Sequence, residues 1–117
     1  MAMNIEDARL YCLSKRNATE DFPFDETTLA FRVENRIFAI VDLDNTSWFC
    51  VKCDADYAIE LRDKYPQISP AWHMNKKYWN QLDIEALDDS LFCSLVDHSY
   101  NEVLKKLPKK IRVGYGL

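Results

Sequence analysis

Eleven residues, Pro70-Ala71-Trp72-His73-Met74-Asn75-Lys76-Lys77-Tyr78-Trp79-Asn80, hold two tryptophans, a tyrosine, a histidine and two adjacent lysines. Aromatic faces beside cations suit a polyanion, because lysines neutralise phosphates while rings stack on bases or brace sugars. Rings spaced along a strand equally suit the core of a small sheet. Lys76 and Lys77 are the candidates for phosphate contact, with Asn75 beside them. In a strand Tyr78 and Trp79 face opposite sides, so only one readily joins a packed face. Trp79 counts as a contact residue if it is exposed beside Lys77, and Trp72 and Met74 are assigned to the strand core.

A second basic cluster, Lys105, Lys106, Lys109, Lys110 and Arg112, is opposed locally by Glu102 alone. Lys109, Lys110 and Arg112, together with Arg36, would extend a contact made by Lys76 and Lys77 if the fold brings these ends together. The plainer alternative is that hairpin tips and helix ends are solvated, with lysines near a helix carboxyl end favoured by its dipole.

Other chemistries find less support. His73 and His98 are the two histidines, and no carboxylate or cysteine stands at a ligand-like spacing from both, whereas zinc usually takes three or four protein ligands. No metal and no cofactor are expected, and His73 is assigned to fixing its own loop through a hydrogen bond. Cys50-Val51-Lys52-Cys53 matches C-x-x-C, but residues three apart in a strand point to opposite faces. With Cys12 and Cys93 these are read as small buried hydrophobes in a reducing compartment. Glu20, Asp21, Asp25 and Glu26 interleave with Phe22 and Phe24. Acid–base work needs a pocket that pushes carboxylate pKa values apart, so the acids are assigned to the surface and the phenylalanines to the core. No glycine loop cradles a phosphate. The expectation is a binding protein and not an enzyme.

The elements that must position these residues follow from periodicity. Asn4 caps a helix over 4–14, with Glu6 and Asp7 favourable to its dipole and Ile5, Ala8, Tyr11 and Cys12 on one face. Residues 17–24 read as irregular or extended around Pro23. Strands over 28–33 and 36–41 flank Glu34-Asn35, a tight hairpin in which Asn35 tolerates a left-handed backbone. The second of these strands is apolar on both faces and is placed centrally. A third strand runs over 47–52. Asp54 caps a helix over 54–64, and Pro66 follows its end. Strands over 68–74 and 78–84 join through Asn75-Lys76-Lys77. Asp88 or Asp89 caps a last helix to about 107, with Phe92, Leu95, Val96, Ser99, Val103 and Leu107 on one face and Pro108 beyond.

The predicted fold is α+β, two layers in the order α-β(3)-α-β(2)-α, with the two strand groups joined into one antiparallel sheet that the helices cover. The 117 residues fit a single domain over 1–117. No run of about eighteen apolar residues and no secretory leader pattern is seen, which points to the cytoplasm and away from membranes. A net charge of −4 and a pI near 5.1 exclude nucleic-acid binding by overall charge. Any such binding has to be local.

With these motifs placed, the chain resembles the MmcQ/YjbR family. Three segments carry the likeness: Glu20-Asp21-Phe22-Pro23-Phe24; the run from Lys52-Cys53-Asp54 through Leu61-Arg62 and Tyr65-Pro66 to His73-Met74-Asn75-Lys76-Lys77-Tyr78-Trp79-Asn80; and Ser99-Tyr100 with Leu107-Pro108-Lys109-Lys110-Ile111-Arg112. The resemblance implies a fold similar to type III secretion chaperones, and DNA binding through two β-hairpin wings. Asp25 departs from the glycine frequent after F-P-F, and Glu34-Asn35 from a glycine-containing turn, which sets acidic groups near the first wing. The expected partner is double-stranded DNA, bound weakly and with little sequence preference, by a monomer or weak dimer. The rival is a protein-interaction or chaperone-like module with no nucleic-acid role.

Overall fold

The computed structural model describes residues 3–45, 48–71 and 74–117. Helix α1, Ile5–Leu13, begins where Asn4 Oδ1 accepts from the Asp7 N–H at 2.8 Å, and it buries Ala8 and Cys12. A short strand β1, Thr19–Asp21, follows, and then β2, Thr28–Val33, and β3, Arg36–Asp42. Glu34 and Asn35 between them have φ of 49° and 65°. Two successive left-handed residues make the primed turn whose twist matches that of the flanking strands. Asn35 was expected to adopt this conformation; Glu34 shares it.

Strand β4, Trp48–Lys52, leads to α2, Ala55–Lys64, whose first turn is capped by Asp54. Strands β5, Ile68–Pro70, and β6, Trp79–Asp83, come next. Helix α3, Asp89–Lys105, is capped by Asp88, and a short α4, Lys109–Val113, closes the chain. The strands form one six-stranded antiparallel sheet in the order β1-β2-β3-β4-β6-β5. The β4–β6 ladder, from Trp48 opposite Asp83 to Lys52 opposite Trp79, is the long-range pairing that unites the two strand groups. The α+β class and the expected element order hold, with β1 and α4 added.

One sheet face carries the core. Leu29, Phe31, Ala39, Val41, Phe49, Val51 and Leu82 share it through the strand registers, and α3 lies across β2, β3 and β4. Phe31 stacks on Phe49 with centroids 6.0 Å apart, Phe92 meets Phe49 edge-on at 5.3 Å, and Tyr100 meets Phe38 edge-on at 5.5 Å. Phe38 is the extra residue where the β2–β3 register shifts, and the bulge turns it into the core. Ser99, fully buried, ties helix to sheet: its hydroxyl donates to the Phe38 carbonyl and accepts from the Lys52 N–H at 2.9 Å.

Two expectations fail here. Phe22 and Phe24 are 49% and 66% exposed, not core. The strand β1 ends at Asp21, so the alternation that would carry these rings inward is lost, and it is Glu20 that shares the face of Phe31, held by Arg9 of α1. Strand β5 ends at Pro70, short of residue 74, because proline supplies no N–H to continue a ladder. Met74 lies half-buried in the connection, lining a cavity of about 360 Å³ with Phe24, Thr28, Ile40 and Asp42. The assignments of Trp72 to the core and His73 to its loop lie outside the described residues.

Candidate anion-binding face

Where the β2–β3 hairpin, the end of β4 and the carboxyl end of α3 meet, Arg32, Arg36, Lys52 and Lys106 line an open cleft of about 310 Å³, with Ile37 and Val103 as its apolar walls. The hairpin turn delivers Arg36, the β3–β4 pairing brings up Lys52, and α3 ends with Lys106 as its carboxyl cap. Arg32 is held rigidly, its Nε donating to Asp21 at 2.9 Å and its Nη1 to the Asn35 carbonyl at 2.9 Å. Among the described residues no carboxylate is ion-paired with Arg36, Lys52 or Lys106. Burial holds the Lys52 ammonium below the ordinary lysine range, and the charges of Lys106 and Arg36 push the same way. Glu102, the acid that opposes this, accepts from the Lys105 ammonium at 2.9 Å. The cleft therefore concentrates like charge that a bound anion would relieve.

Lys106 links the cleft to the second connection. Tyr78 has the ammonium of Lys106 at 5.5 Å from its ring and that of Lys77 at the same distance. Asn75 is engaged in shaping this loop: its Oδ1 accepts from the Lys77 N–H at 3.0 Å, and its carbonyl accepts from the Tyr78 N–H. Its role is thus to position Lys77, and Lys76 sits beside it, exposed. Trp79 is half-buried in β6 opposite Lys52 of β4.

The carboxyl-terminal cluster also arrives here. Helix α4 presents Lys109 and Lys110 to solvent, and the Tyr115 hydroxyl beyond it donates to Glu34 in the hairpin turn at 3.1 Å. The Arg16 guanidinium lies 5.1 Å from the Tyr115 ring and donates to the Gly114 carbonyl. Arg112 is half-buried. Of the residues singled out from sequence, Arg36 and Lys77 are thus joined through Lys106 and Tyr78, and Lys109, Lys110 and Arg112 sit on an element tied back to the hairpin beside Arg36.

Arg32, Lys52 and Lys106 were not singled out for contact. Lys106 stands in the basic run and could have been. Arg32 and Lys52 occupy ordinary polar positions of strands, and only the registers of three strands bring them to one cleft. Elsewhere, His98 Nε2 accepts from the Asp54 N–H at 3.1 Å, and its ring meets Tyr57 edge-on at 4.9 Å. Burial pushes the Cys50 thiol up to about 11 and the Cys53 thiol up to about 12. Three of the acids near β1 have a local partner: Glu20 with Arg9, Asp21 with Arg32, and Asp25 with the N–H groups of Thr27 and Thr28. No helix among the described residues is long and apolar enough to cross a membrane.

Known proteins resemble this chain in sequence and in fold. The chain is 30% identical over 112 residues to the uncharacterized protein YjbR of Escherichia coli K12, covering 94% of this chain and 95% of that one. The uncharacterized protein YbdF of Escherichia coli O157:H7 is 29% identical over 91 residues, 76% of this chain and 75% of that one. Among solved structures, the Deinococcus radiodurans protein DR2400, with its DUF419 domain, superposes with a TM-score of 0.89 at 32% identity, over 99% of this chain and 90% of that one. A Pseudomonas syringae protein shares the fold with a TM-score of 0.72 at 22% identity, over 86% of this chain and 98% of that one. The YjbR family model matches residues 13–102, which span β1 to β6 and most of α3, and the chain belongs to the YjbR family.

Proposed function

We propose that this protein binds double-stranded DNA through its phosphate backbone, weakly and with little sequence preference, and that it is a binder and not an enzyme. The observation that carries the reading is the convergence of Arg32, Arg36, Lys52 and Lys106 on one cleft, with Tyr78 and Lys77 beside Lys106, in a chain whose net charge is −4. Cations gathered on one face of an acidic protein give local affinity for a polyanion and orient the molecule as it approaches. Backbone contacts of this kind fix position without reading sequence. Glu6, Arg9, Glu20, Asp21, Phe22 and Leu43 line a different cleft, beside α1.

The helix dipole is the competing explanation of Lys106, since a carboxyl end carries about half a negative charge. Arg36, Lys52 and Lys106, which have no carboxylate partner among the described residues, together exceed what that half charge would draw. The test is titration of a labelled duplex at two salt concentrations. Binding that weakens with salt, and weakens again in Lys77→Ala/Lys106→Ala, is expected. No binding at low salt, or binding unchanged in that variant, overturns the proposal.

A second reading, a module that docks another protein, is favoured by the exposure of Phe22, Phe24 and Leu43. Exposed aromatics of this size mark interaction surfaces when they cluster. This reading predicts a dimer or a captured partner that is lost in Phe22→Ser/Phe24→Ser, with DNA binding absent.

A further inference from the structure

We propose that the cleft formed by Arg36, Lys52 and Lys106 is a site for a single dianionic phosphate group, either a free phosphate or the terminal phosphate of a nucleic-acid strand. The inference rests on the reading of this face as phosphate-binding and narrows it from a surface to a site. Three observations support the narrowing. The cations line a concavity of about 310 Å³ and are not strung along a ridge, so its low-dielectric walls, Ile37 and Val103, strengthen their field on whatever enters. Arg32 is already spent on Asp21 and Asn35 and serves as a fixed back wall. Arg36, Lys52 and Lys106 have no ion-pair partner among the described residues.

Charge then decides between kinds of phosphate. An internal phosphodiester brings one negative charge, which leaves most of the repulsion among three cations in place. A phosphomonoester brings about −1.5 to −2 at pH 7 and three acceptor oxygens, one for each cation. Burial and the neighbouring cations both press on Lys52, and the attraction of an incoming dianion would oppose them and favour the charged ammonium. Tyr78, whose ring lies 5.5 Å from the Lys106 ammonium, offers a face to whatever carries the phosphate.

The full-length chain, labelled with nitrogen-15, would be titrated with inorganic phosphate and, at matched ionic strength, with chloride. Saturable shifts of the Arg36, Lys52 and Lys106 amides with phosphate alone are expected, and Lys106→Gln should weaken phosphate binding about tenfold. Lys106→Gln lies at a solvent-exposed helix end and leaves the sheet undisturbed; Lys52→Gln is the second variant. Shifts that chloride reproduces, no saturation, or an affinity unchanged from the parent protein in both variants would overturn the site. The source of the phosphate is read from two duplexes differing only in 5′-phosphate or 5′-hydroxyl ends. About tenfold tighter binding of the phosphorylated duplex supports the strand end, and equal affinities with saturable phosphate shifts support a free phosphate. Phosphate bound without duplex binding sinks only the DNA reading, and duplex bound without phosphate sinks only the site.

Discussion

The Tyr115 hydroxyl donates to the Glu34 carboxylate at 3.1 Å, so the last residues of the chain are fastened to the turn of the first hairpin. The same hydroxyl accepts from Asn17 Nδ2 at 2.8 Å, and the Arg16 guanidinium lies over the ring. Three segments distant in sequence, the end of α1, the hairpin turn and the tail, are thus held at one side chain. Glu34 has φ of 49°, a conformation that costs a residue with a Cβ about 1–2 kcal/mol, and its carboxylate contact helps hold the turn.

Tyr115→Phe keeps the ring and removes both hydrogen bonds. A loss of about 1 kcal/mol is expected, at the low end because the contacts are exposed. Urea denaturation measures it, and faster amide exchange over residues 109–117 should accompany it. If Lys109 and Lys110 contribute to polyanion binding, this variant also weakens it, although no cation has been removed.

Ser99→Ala tests the junction between α3 and the sheet. Ser99 is fully buried and satisfies both the Phe38 carbonyl and the Lys52 N–H. Its removal strands two backbone groups, each costing about 1–3 kcal/mol when left unpaired in the interior. A total loss of about 2–4 kcal/mol in urea denaturation is expected. A loss below about 0.5 kcal/mol would mean that the junction relaxes to let water in.

How these features were legible differs from residue to residue. Ser99 sits on the apolar face of α3 at helical spacing, so its burial was readable, yet its partners Phe38 and Lys52 were not, being 61 and 47 residues away. The caps Asn4 and Asp54 and the hairpin turn at Glu34-Asn35 are local and were placed correctly, and Asp88 was one of two candidates for the cap of α3. Strand β1 was missed because three residues, Thr19–Asp21, hold too little alternation to register, and with it went the outward turn of Phe22 and Phe24. The cleft was half visible. Arg36, Lys77 and the basic run stood out as tips and clusters, whereas Arg32 and Lys52 acquire meaning only through strand register.

His98 sets a pH dependence whose sign can be worked out. Burial holds its pKa below the ordinary 6.5, outweighing Glu102 and Asp54, which pull it up. Below 6.5 the unfolded chain therefore binds a proton that the folded chain resists, so stability rises with pH across the interval from the lowered value to 6.5. It is lost as pH falls through that interval, when protonation also removes the acceptor for the Asp54 N–H. Urea midpoints at pH 5 and pH 7 should show the drop, and His98→Gln should flatten that part of the profile.

Phe22→Ser and Phe24→Ser separate exposed rings from buried ones. At 49% and 66% exposure each should change stability by less than about 0.5 kcal/mol. Phe31→Ala, by contrast, opens a cavity among Phe38 and Phe49 and should cost about 3–5 kcal/mol. Both sets are measured in the same urea titrations.

Removal of charge from the basic face should act on salt dependence as well as affinity. Each lysine that neutralises a phosphate releases a counterion, so log K falls with log salt by about 0.9 for every phosphate contacted. Lys77→Ala and Lys106→Ala, both beside Tyr78, are each expected to flatten the slope by about one and the pair by about two, with equal effects on unrelated duplex sequences. Both residues are exposed, so folding should be unaffected and circular dichroism unchanged. A slope that stays constant while affinity falls would mean that the lysines shape the loop around Tyr78 and do not meet phosphate, and an effect confined to one duplex sequence would mean contact with base edges.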